Sequence, residues 1–313
     1  MTTDDLASQL LQGNRRALAR AITIAETGGA SARSVLAAVY AHTGRAHVVG
    51  VTGAPGAGKS TLVNALAQHW RAAGHTIGIV AVDPSSPFSG GAILGDRIRM
   101  QPLGGDPGVF VRSMANRGRL GGIARATSDA VSLLDAAGFE RIIIETVGAG
   151  QSEVEVATAA HTVIVVEAPG MGDDVQAIKA GMLEIADILV VNKADRPEAD
   201  ATLRQLRSML QLSGQRNGWR VPLLAAVAVR AEGMAAISEA AQKHFVHLRA
   251  SDQLHVLERA RATRALHAIV QEAALEAALE RERGAAWEHA VEQVARRQLD
   301  PYTAAMGLVR MKE

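Results

Sequence analysis

The sequence predicts an α/β fold on a mostly parallel central sheet, with helical segments added at both ends. Three observations lead there. Short β-branched runs alternate with helical stretches from about residue 47 to residue 229. The runs are continuously apolar rather than alternating, which suits strands buried on both faces. The two flanks show helical periodicity only.

The first flank, residues 1–45, reads as helices. Leu6, Leu10 and Leu11, then Leu18, Ile22 and Ala25, recur at helical spacing until Gly28-Gly29 stops them. Residues 31–40 form a second short helix carrying Val35, Leu36 and Val39. The strand runs are 47–53, 76–82, 109–112, 141–146, 162–167, 188–192 and 221–229. In such sheets ligands bind outside the carboxyl ends of the strands, so polar motifs belong just after each run. From about Ala231 the chain is helical again. Leu266, Ile269, Val270, Ala273 and Ala277 share one face, with Leu275 and Leu279 roughly opposite. Such a helix needs two packing partners, within the chain or in a second subunit. Gly284 interrupts the pattern, and Trp287, Ala290, Val291 and Val294 make another amphipathic set. Asp300-Pro301 supplies an N-cap and a proline at the first position of a last short helix.

Composition narrows the function classes. The chain has 313 residues, with 33 Lys+Arg against 32 Asp+Glu, so its formal charge of +1 supplies no field to draw nucleic acid or an acidic membrane. Nine aromatic residues are too few for a base-stacking platform. The absence of Cys excludes disulfides, thiolate metal sites and thiol nucleophiles. The start, Met1-Thr2-Thr3-Asp4-Asp5, has neither a signal nor a transit pattern, and no apolar run is long enough to span a bilayer. The expectation is a soluble, cytoplasmic protein with neither a nucleic-acid nor a membrane partner.

The first motif is Gly53-Ala54-Pro55-Gly56-Ala57-Gly58-Lys59-Ser60, followed by Thr61. It matches G-x-x-x-x-G-K-[ST] between a predicted strand and a predicted helix. The glycines let backbone N–H groups turn inward around phosphate oxygens, and the new helix adds its positive end. Lys59 is expected to reach the β/γ-phosphates and Ser60 to ligate Mg²⁺.

The second motif is Asn192-Lys193-Ala194-Asp195, at the end of the run 188–192. A carboxylate only accepts hydrogen bonds, and guanine N1–H and its exocyclic amine are two adjacent donors. Adenine lacks the amine and presents an acceptor at N1. Asp195 therefore reads guanine, Lys193 lies over the base, and Asn192 ties the loop together. With the phosphate loop, this implies GTP rather than ATP.

Acidic residues at other strand ends are candidates for the metal and the γ-phosphate. Asp83 follows the run 76–82, Asp96 sits in Gly95-Asp96-Arg97, and Glu145 precedes Thr146-Val147-Gly148. Between Asp83 and Asp96 lies a stretch rich in Pro, Gly and Ser, a mobile-loop composition. Gly148 N–H is placed to meet the γ-phosphate, so phosphate loss would release both loops. Gln151 is a candidate to orient water, but Ser152-Glu153-Val154-Glu155 reads as a capping box, so Gln151 reads better as the residue before a helix. Asp173-Asp174-Val175-Gln176 likewise reads as a helix start.

Taken together, 53–60, 82–91, 93–97, 106–114, 118–126, 145–153 and 192–195 resemble the MeaB/ArgK family of GTPases, which serve adenosylcobalamin-dependent acyl-CoA mutases. The match runs almost without gaps from about residue 48 to 196. The resemblance implies a SIMIBI-type P-loop fold, divided into a helical extension 1–45, a GTPase domain 46–245 and a dimerisation arm 246–313. It implies a homodimer that hydrolyses GTP to GDP with Mg²⁺, without itself binding cobalamin. The cycle would gate cofactor loading, protection and repair of the mutase, with an adenosyltransferase as a further partner. On this reading Lys59, Asp96 and Glu145 are catalytic, and Ser60, Asp83, Asp96 and Glu145 serve the metal. Residues 168–179, with Asp173, Asp174, Gln176 and Lys179, form a third switch that relays nucleotide state.

Two stretches depart from the family pattern. Val165-Val166-Glu167-Ala168-Pro169-Gly170-Met171-Gly172 replaces an almost wholly aliphatic segment. This suggests a subgroup serving isobutyryl- or 2-hydroxyisobutyryl-CoA mutase rather than methylmalonyl-CoA mutase. The last guanine loop falls at Ala226, Val227 and Ala228, which offer backbone N–H groups and no hydroxyl.

Three other readings compete. A GTP-dependent metallochaperone of the hydrogenase or urease maturation type needs Cys or clustered His, and only His244 and His247 come near each other. A kinase needs an acceptor pocket that nothing in the sequence marks. A non-hydrolysing binding module requires that Glu145 or Asp96 be misplaced for chemistry.

Overall fold

Thr2 starts the first helix with a capping box: its hydroxyl accepts from Asp5 N–H at 3.2 Å, and Asp5 Oδ2 accepts from Thr2 N–H at 3.1 Å. The computed structural model describes residues 2–83, 103, 105–115, 122–146, 152–170, 181–281 and 285–310. Helix α1 spans Thr3–Leu11, α2 Arg15–Thr27 and α3 Gly29–Val39. The single periodic stretch read from Leu6 to Ala25 is thus two helices. Gly13 takes φ 80°, and the Asn14 side chain caps α2 by accepting from Arg16 and Ala17 N–H.

Seven parallel strands follow: β1 His47–Gly53, β2 Ile77–Asp83, β3 Val109–Ala115, β4 Arg141–Thr146, β5 Thr162–Glu167, β6 Ile188–Asn192 and β7 Leu223–Ala226. Their spatial order is β3-β2-β4-β1-β5-β6-β7. The described helices between them are α4 Lys59–Ala72, α5 Gly122–Ala136, α6 Ser152–Ala159 and α7 Ala199–Ser213. After β7 come α8 Met234–Ala250, α9 Gln253–Arg281, α10 Ala285–Ala295 and α11 Pro301–Arg310. The last strand is shorter than the run 221–229, because residues 228–230 turn into a 3₁₀ helix.

Continuous apolar strands bury both faces, as parallel packing demands. Val48, Ile142, Ile144, Val163 and Val165 point to one core, with α1, α2, α3, α5 and α6. Val49, Val51, Ile143, Ile164 and Val166 point to the other, with α4 and α8. The N-terminal helices are anchored by Arg15, which donates to Pro107 O at 2.7 Å and Val109 O at 2.5 Å, and by Glu26, which pairs with Arg112 at 2.5 Å. They share one compact unit, Met1–Leu257, with the sheet.

A second unit is Glu258–Glu313. Asp300 Oδ1 accepts from Tyr302 and Thr303 N–H, the expected cap of α11. Within this unit Leu266, Ile269, Val270 and Leu275 are not covered by the other helices of the unit itself. Among the described residues no helix is long and apolar enough to cross a membrane.

A polar chain crosses the amino-terminal end of the sheet. Arg141 Nη1 donates to His47 Nδ1 at 2.6 Å, so the His47 proton sits on Nε2 and is donated to Thr162 Oγ1 at 2.8 Å. The Thr162 hydroxyl in turn meets His244 Nδ1 at 3.0 Å, and His244 Nε2 faces Asp187 Oδ1 at 3.5 Å. Burial, with Arg141 beside it, holds the His47 pKa well below the usual range, and burial pushes His244 down to about 3. Burial likewise raises Asp187 to about 6, against the opposing pull of Val163 N–H and Arg216. Both imidazoles are therefore neutral links in the chain.

Candidate functional site

The site gathers at the opposite, carboxyl end of the sheet. Strand β1 ends at Gly53, and α4 begins at Lys59. Gly53, Gly56 and Gly58 take φ of 138°, 78° and 90°, conformations that glycine adopts without cost. Two of them are also required by close approach. A Cβ on Gly53 would lie 2.0 Å from Val166 O, and one on Gly58 would lie 2.5 Å from Asn192 Nδ2. Gly53 pairs with Val166 in the ladder, so neither backbone can yield. Gly53→Ala is expected to destabilise by at least about 3 kcal/mol, through overpacking and a disfavoured φ. Gly58→Ala is expected to cost less stability than Gly53→Ala but to bind guanine nucleotide more weakly, because it strains φ at 90° and displaces the Asn192 side chain rather than a strand backbone. Urea denaturation and nucleotide titration check the pair; equal stability of Gly53→Ala and the parent would refute the packing argument.

Lys59 is buried, and its ammonium donates to Gly53 O at 2.8 Å and Ala54 O at 3.0 Å. These carbonyls hold its charge at the loop. Ser60 Oγ donates to Glu145 Oε1 at 2.5 Å, joining the start of α4 to the end of β4. Glu145 is buried, and it lies beside Val51 in the register of β1. Thr146 Oγ1 donates to Thr52 Oγ1 at 3.0 Å, which fixes these two strand ends together. A serine hydroxyl beside a carboxylate is an oxygen pair that suits Mg²⁺, an ion that takes few protein ligands and shares the rest with phosphate and water. Among the described residues no group of three His, Asp or Glu side chains is placed to hold a metal. Asp83 closes β2, paired in backbone register with Ala115. Thr61 is exposed on the first turn of α4, and Pro55 and Gly56 are exposed on the loop.

Asn192 ends β6 and staples three segments with one carboxamide. Its Nδ2 donates to Ala57 O at 2.9 Å, and its Oδ1 accepts from Ala228 N–H at 3.1 Å. The loops after β1, β6 and β7 are thereby one unit. Lys193 takes φ 58° and donates to Gly56 O at 2.6 Å. Ala194 N–H donates to Ala226 O at 3.0 Å. Ala226, Val227 and Ala228 are buried, and Val227 N–H donates to Glu232 O at 3.1 Å. The N–H groups of Val227 and Ala228 thus hold this loop together.

Sequence reasoning missed Arg230. Its Nη1 lies 3.4 Å from Asp195 Oδ2, and its Nε donates to Glu232 Oε1 at 2.7 Å. Glu232 orients the guanidinium, and the guanidinium orients the Asp195 carboxylate. No motif marks this residue; only the short 3₁₀ turn after β7 brings it there.

The structure therefore joins Gly53, Ala54, Pro55, Gly56, Ala57, Gly58, Lys59, Ser60 and Glu145 to Asn192, Lys193 and the 226–228 loop. Asp96, Gly148, Gln151, Asp173, Asp174, Gln176 and Lys179 lie outside the described residues. A helix does begin at Ser152, and the side chains of the expected capping box lie outside the described residues. Arg112 is occupied by Glu26 and Thr23. His244 is taken up in the buried chain and His247 meets Asn217 O at 3.0 Å, so this pair serves internal contacts.

Comparison with known proteins agrees with this geometry. The sequence model of the family described as Methylmalonyl Co-A mutase-associated GTPase MeaB matches residues 18–283. A protein of Pyrococcus abyssi, named as a GTPase, is 45% identical over 308 residues, 96% of this chain and 94% of its own length. GTPase ArgK of Escherichia coli is 42% identical over 191 residues, 60% of this chain and 58% of that protein. A crystal structure described as LAO/AO transport system kinase superposes with a TM-score of 0.71 at 26% identity, covering 98% of this chain and 96% of that one. The Gly53–Ser60 loop, the Asn192–Asp195 loop and the parallel sheet are thus carried by a chain that belongs to the MeaB family of P-loop GTPases.

Proposed function

We propose that this GTPase is the nucleotide switch of an adenosylcobalamin-dependent acyl-CoA mutase, gating cofactor loading, protection and repair. The observation that carries the switch is the Asn192 staple. It makes the phosphate loop and the base loop one rigid unit, so bound nucleotide is sensed across β1, β6 and β7 together. The mutase partner is supported by the family description and by the motif run 82–126.

Within this reading the chain's residues divide the work. The loop 53–60 cradles the phosphates, and Lys59 opposes their charge. Asp195 selects guanine and Lys193 covers the base. Ser60 and Glu145, with Asp83 and Asp96, would hold Mg²⁺, which when bound neutralises charge on the β- and γ-phosphate oxygens. Asp173, Asp174, Gln176 and Lys179 would carry nucleotide state to the partner, and no cobalamin binds this chain. Functionally the chain divides as extension 1–45, GTPase domain 46–245 and arm 246–313. The apolar faces carrying Leu266, Ile269, Val270 and Leu275 favour an arm that pairs two copies, since a helix apolar on two sides needs two packing partners. An adenosyltransferase is a further partner, and the cytoplasm is the proposed location.

The test is GTP hydrolysis by the purified protein, alone and with methylmalonyl-, isobutyryl- or 2-hydroxyisobutyryl-CoA mutase, with ATP as control. Stimulation by one mutase is expected, and it names the partner in the same assay. GTP turnover indifferent to all three overturns the mutase reading and leaves the GTPase assignment standing.

A further inference from the structure

The amino-terminal end of the sheet holds a second cavity, on the order of 20 Å from the phosphate loop, since β1 runs seven residues at about 3.3 Å each between them. Its volume is about 430 Å³, and Arg45, His47, Glu140, Arg141, Phe245 and Arg249 contribute to its wall. That volume lies in the usual range for small-molecule sites.

Its charges are unevenly matched. Asp135, also in the wall, is spent on the backbone N–H groups of Gly44, Arg45 and Ala46. Glu140 accepts from His75 and from Thr76 N–H, and its charge also acts on Arg141. The hydrogen-bond acceptors of Arg141 are neutral, His47 Nδ1 at 2.6 Å and Gln242 Oε1 at 2.7 Å, and its guanidinium lies 5.8 Å from the centre of the Trp70 ring. Its Nε is buried without a hydrogen-bond partner. Arg249 lies over the Phe245 ring at 4.4 Å, and that ring stacks on His47 at 4.2 Å. Among the described residues no carboxylate lies within 4.0 Å of the Arg45, Arg141 or Arg249 guanidinium. Burial lowers the Arg141 pKa more than the nearby Glu140 charge raises it, and Arg249 lowers it further, so the desolvation of this guanidinium is only partly offset. Its rigid fork matches a tetrahedral oxyanion in two-point contact.

We propose that this cavity is a second ligand site, specific for a phosphate monoester, with Arg45, Arg141 and Arg249 as its binding residues. The site is separate from the nucleotide site and rests on none of its residues. His47 is the positioning residue: it is locked by Thr162 on one nitrogen and accepts from Arg141 on the other, so it aims the guanidinium. Through Thr162 and His244 the site is tied to α8, and hence to the strand end where Asp187 precedes β6. A phosphate bound here would stiffen that packing.

The test uses the full chain saturated with a non-hydrolysable GTP analogue and Mg²⁺, so that the phosphate loop is filled. Inorganic phosphate, phenyl phosphate and acetate are titrated by calorimetry. Saturable binding at one site per chain is expected for both phosphates, with acetate at least tenfold weaker. Phenyl phosphate is expected to bind more tightly than inorganic phosphate, and equal or weaker binding of the ester would overturn the assignment to a monoester. Arg249→Gln and Arg45→Gln, both at exposed positions, are each expected to weaken binding at least tenfold without changing GTP turnover. Arg141→Gln is expected to abolish it, and the two exposed variants keep the test valid if this one misfolds. No saturable phosphate binding, acetate binding as tight as phosphate, or indifference to Arg249→Gln and Arg45→Gln would each overturn the proposal.

Discussion

Replacing Lys59 with alanine is expected to lower GTP turnover by on the order of 10²–10³-fold while the fold survives. The argument starts from position. Lys59 is the first residue of α4, where alanine is fully tolerated by helix geometry. Its side chain is almost wholly buried at 6% exposure, and its ammonium lies against Gly53 O and Ala54 O. In the proposed function a compact positive charge held there opposes the charge that develops on the transferring phosphoryl group. Removing one such preorganised donor corresponds to about 3–4 kcal/mol of barrier. Arginine is not expected to rescue it, since its planar fork does not fit a space shaped by two carbonyls at 2.8 and 3.0 Å. Single-turnover phosphate release measures the effect, and circular dichroism checks the fold. Unchanged hydrolysis would sink the assignment of the phosphate loop.

Lys59 was readable because its role needs a particular residue at a fixed distance from two glycines. The same holds for Asn192, which ties the loops together as expected, and for six of the seven strands, whose runs of Val and Ile fix their extent to within a few residues. What the sequence left out has physical reasons too. The break between α1 and α2 rests on one positive φ at Gly13, inside a stretch whose apolar spacing continues through it. The last strand stops at Ala226 because residues 228–230 must turn inward for Ala228 N–H to reach Asn192, a contact between residues 36 apart. Arg230 has no motif at all, since its role depends on where that turn points. The second basic cavity is likewise assembled from residues between 45 and 249, each ordinary in its own neighbourhood. Local periodicity and spacing reveal elements and loops. They do not reveal which side chains from distant loops end up facing each other.

Asp195 carries the other large expected effect, a change of nucleotide rather than a loss of one. Asp195→Asn is expected to weaken GTP binding by about 10²–10⁴-fold and to favour xanthosine triphosphate. A carboxylate accepts from both guanine donors, and each charge-assisted bond is worth about 1.5–3 kcal/mol. The carboxamide keeps one acceptor and presents a donor beside the exocyclic amine, where two donors now meet. Xanthine has a carbonyl in place of that amine, so the same donor finds an acceptor. The scaffold is expected to tolerate the change, because Asp195 is at the surface and its structural contact is the 3.4 Å pair with Arg230. Exposed pairs of this kind contribute little to stability. Competition binding of the two triphosphates measures the switch, with Arg230→Gln as a companion. That variant leaves the carboxylate in place but removes the group that aims it. It is expected to weaken GTP binding only several-fold and to leave the preference for guanine intact. A loss of preference in Arg230→Gln as large as in Asp195→Asn would mean that the guanidinium, not the carboxylate, reads the base. Unaltered GTP affinity in Asp195→Asn would remove the base-reading role from this loop altogether, because no other carboxylate follows Lys193 before Glu198.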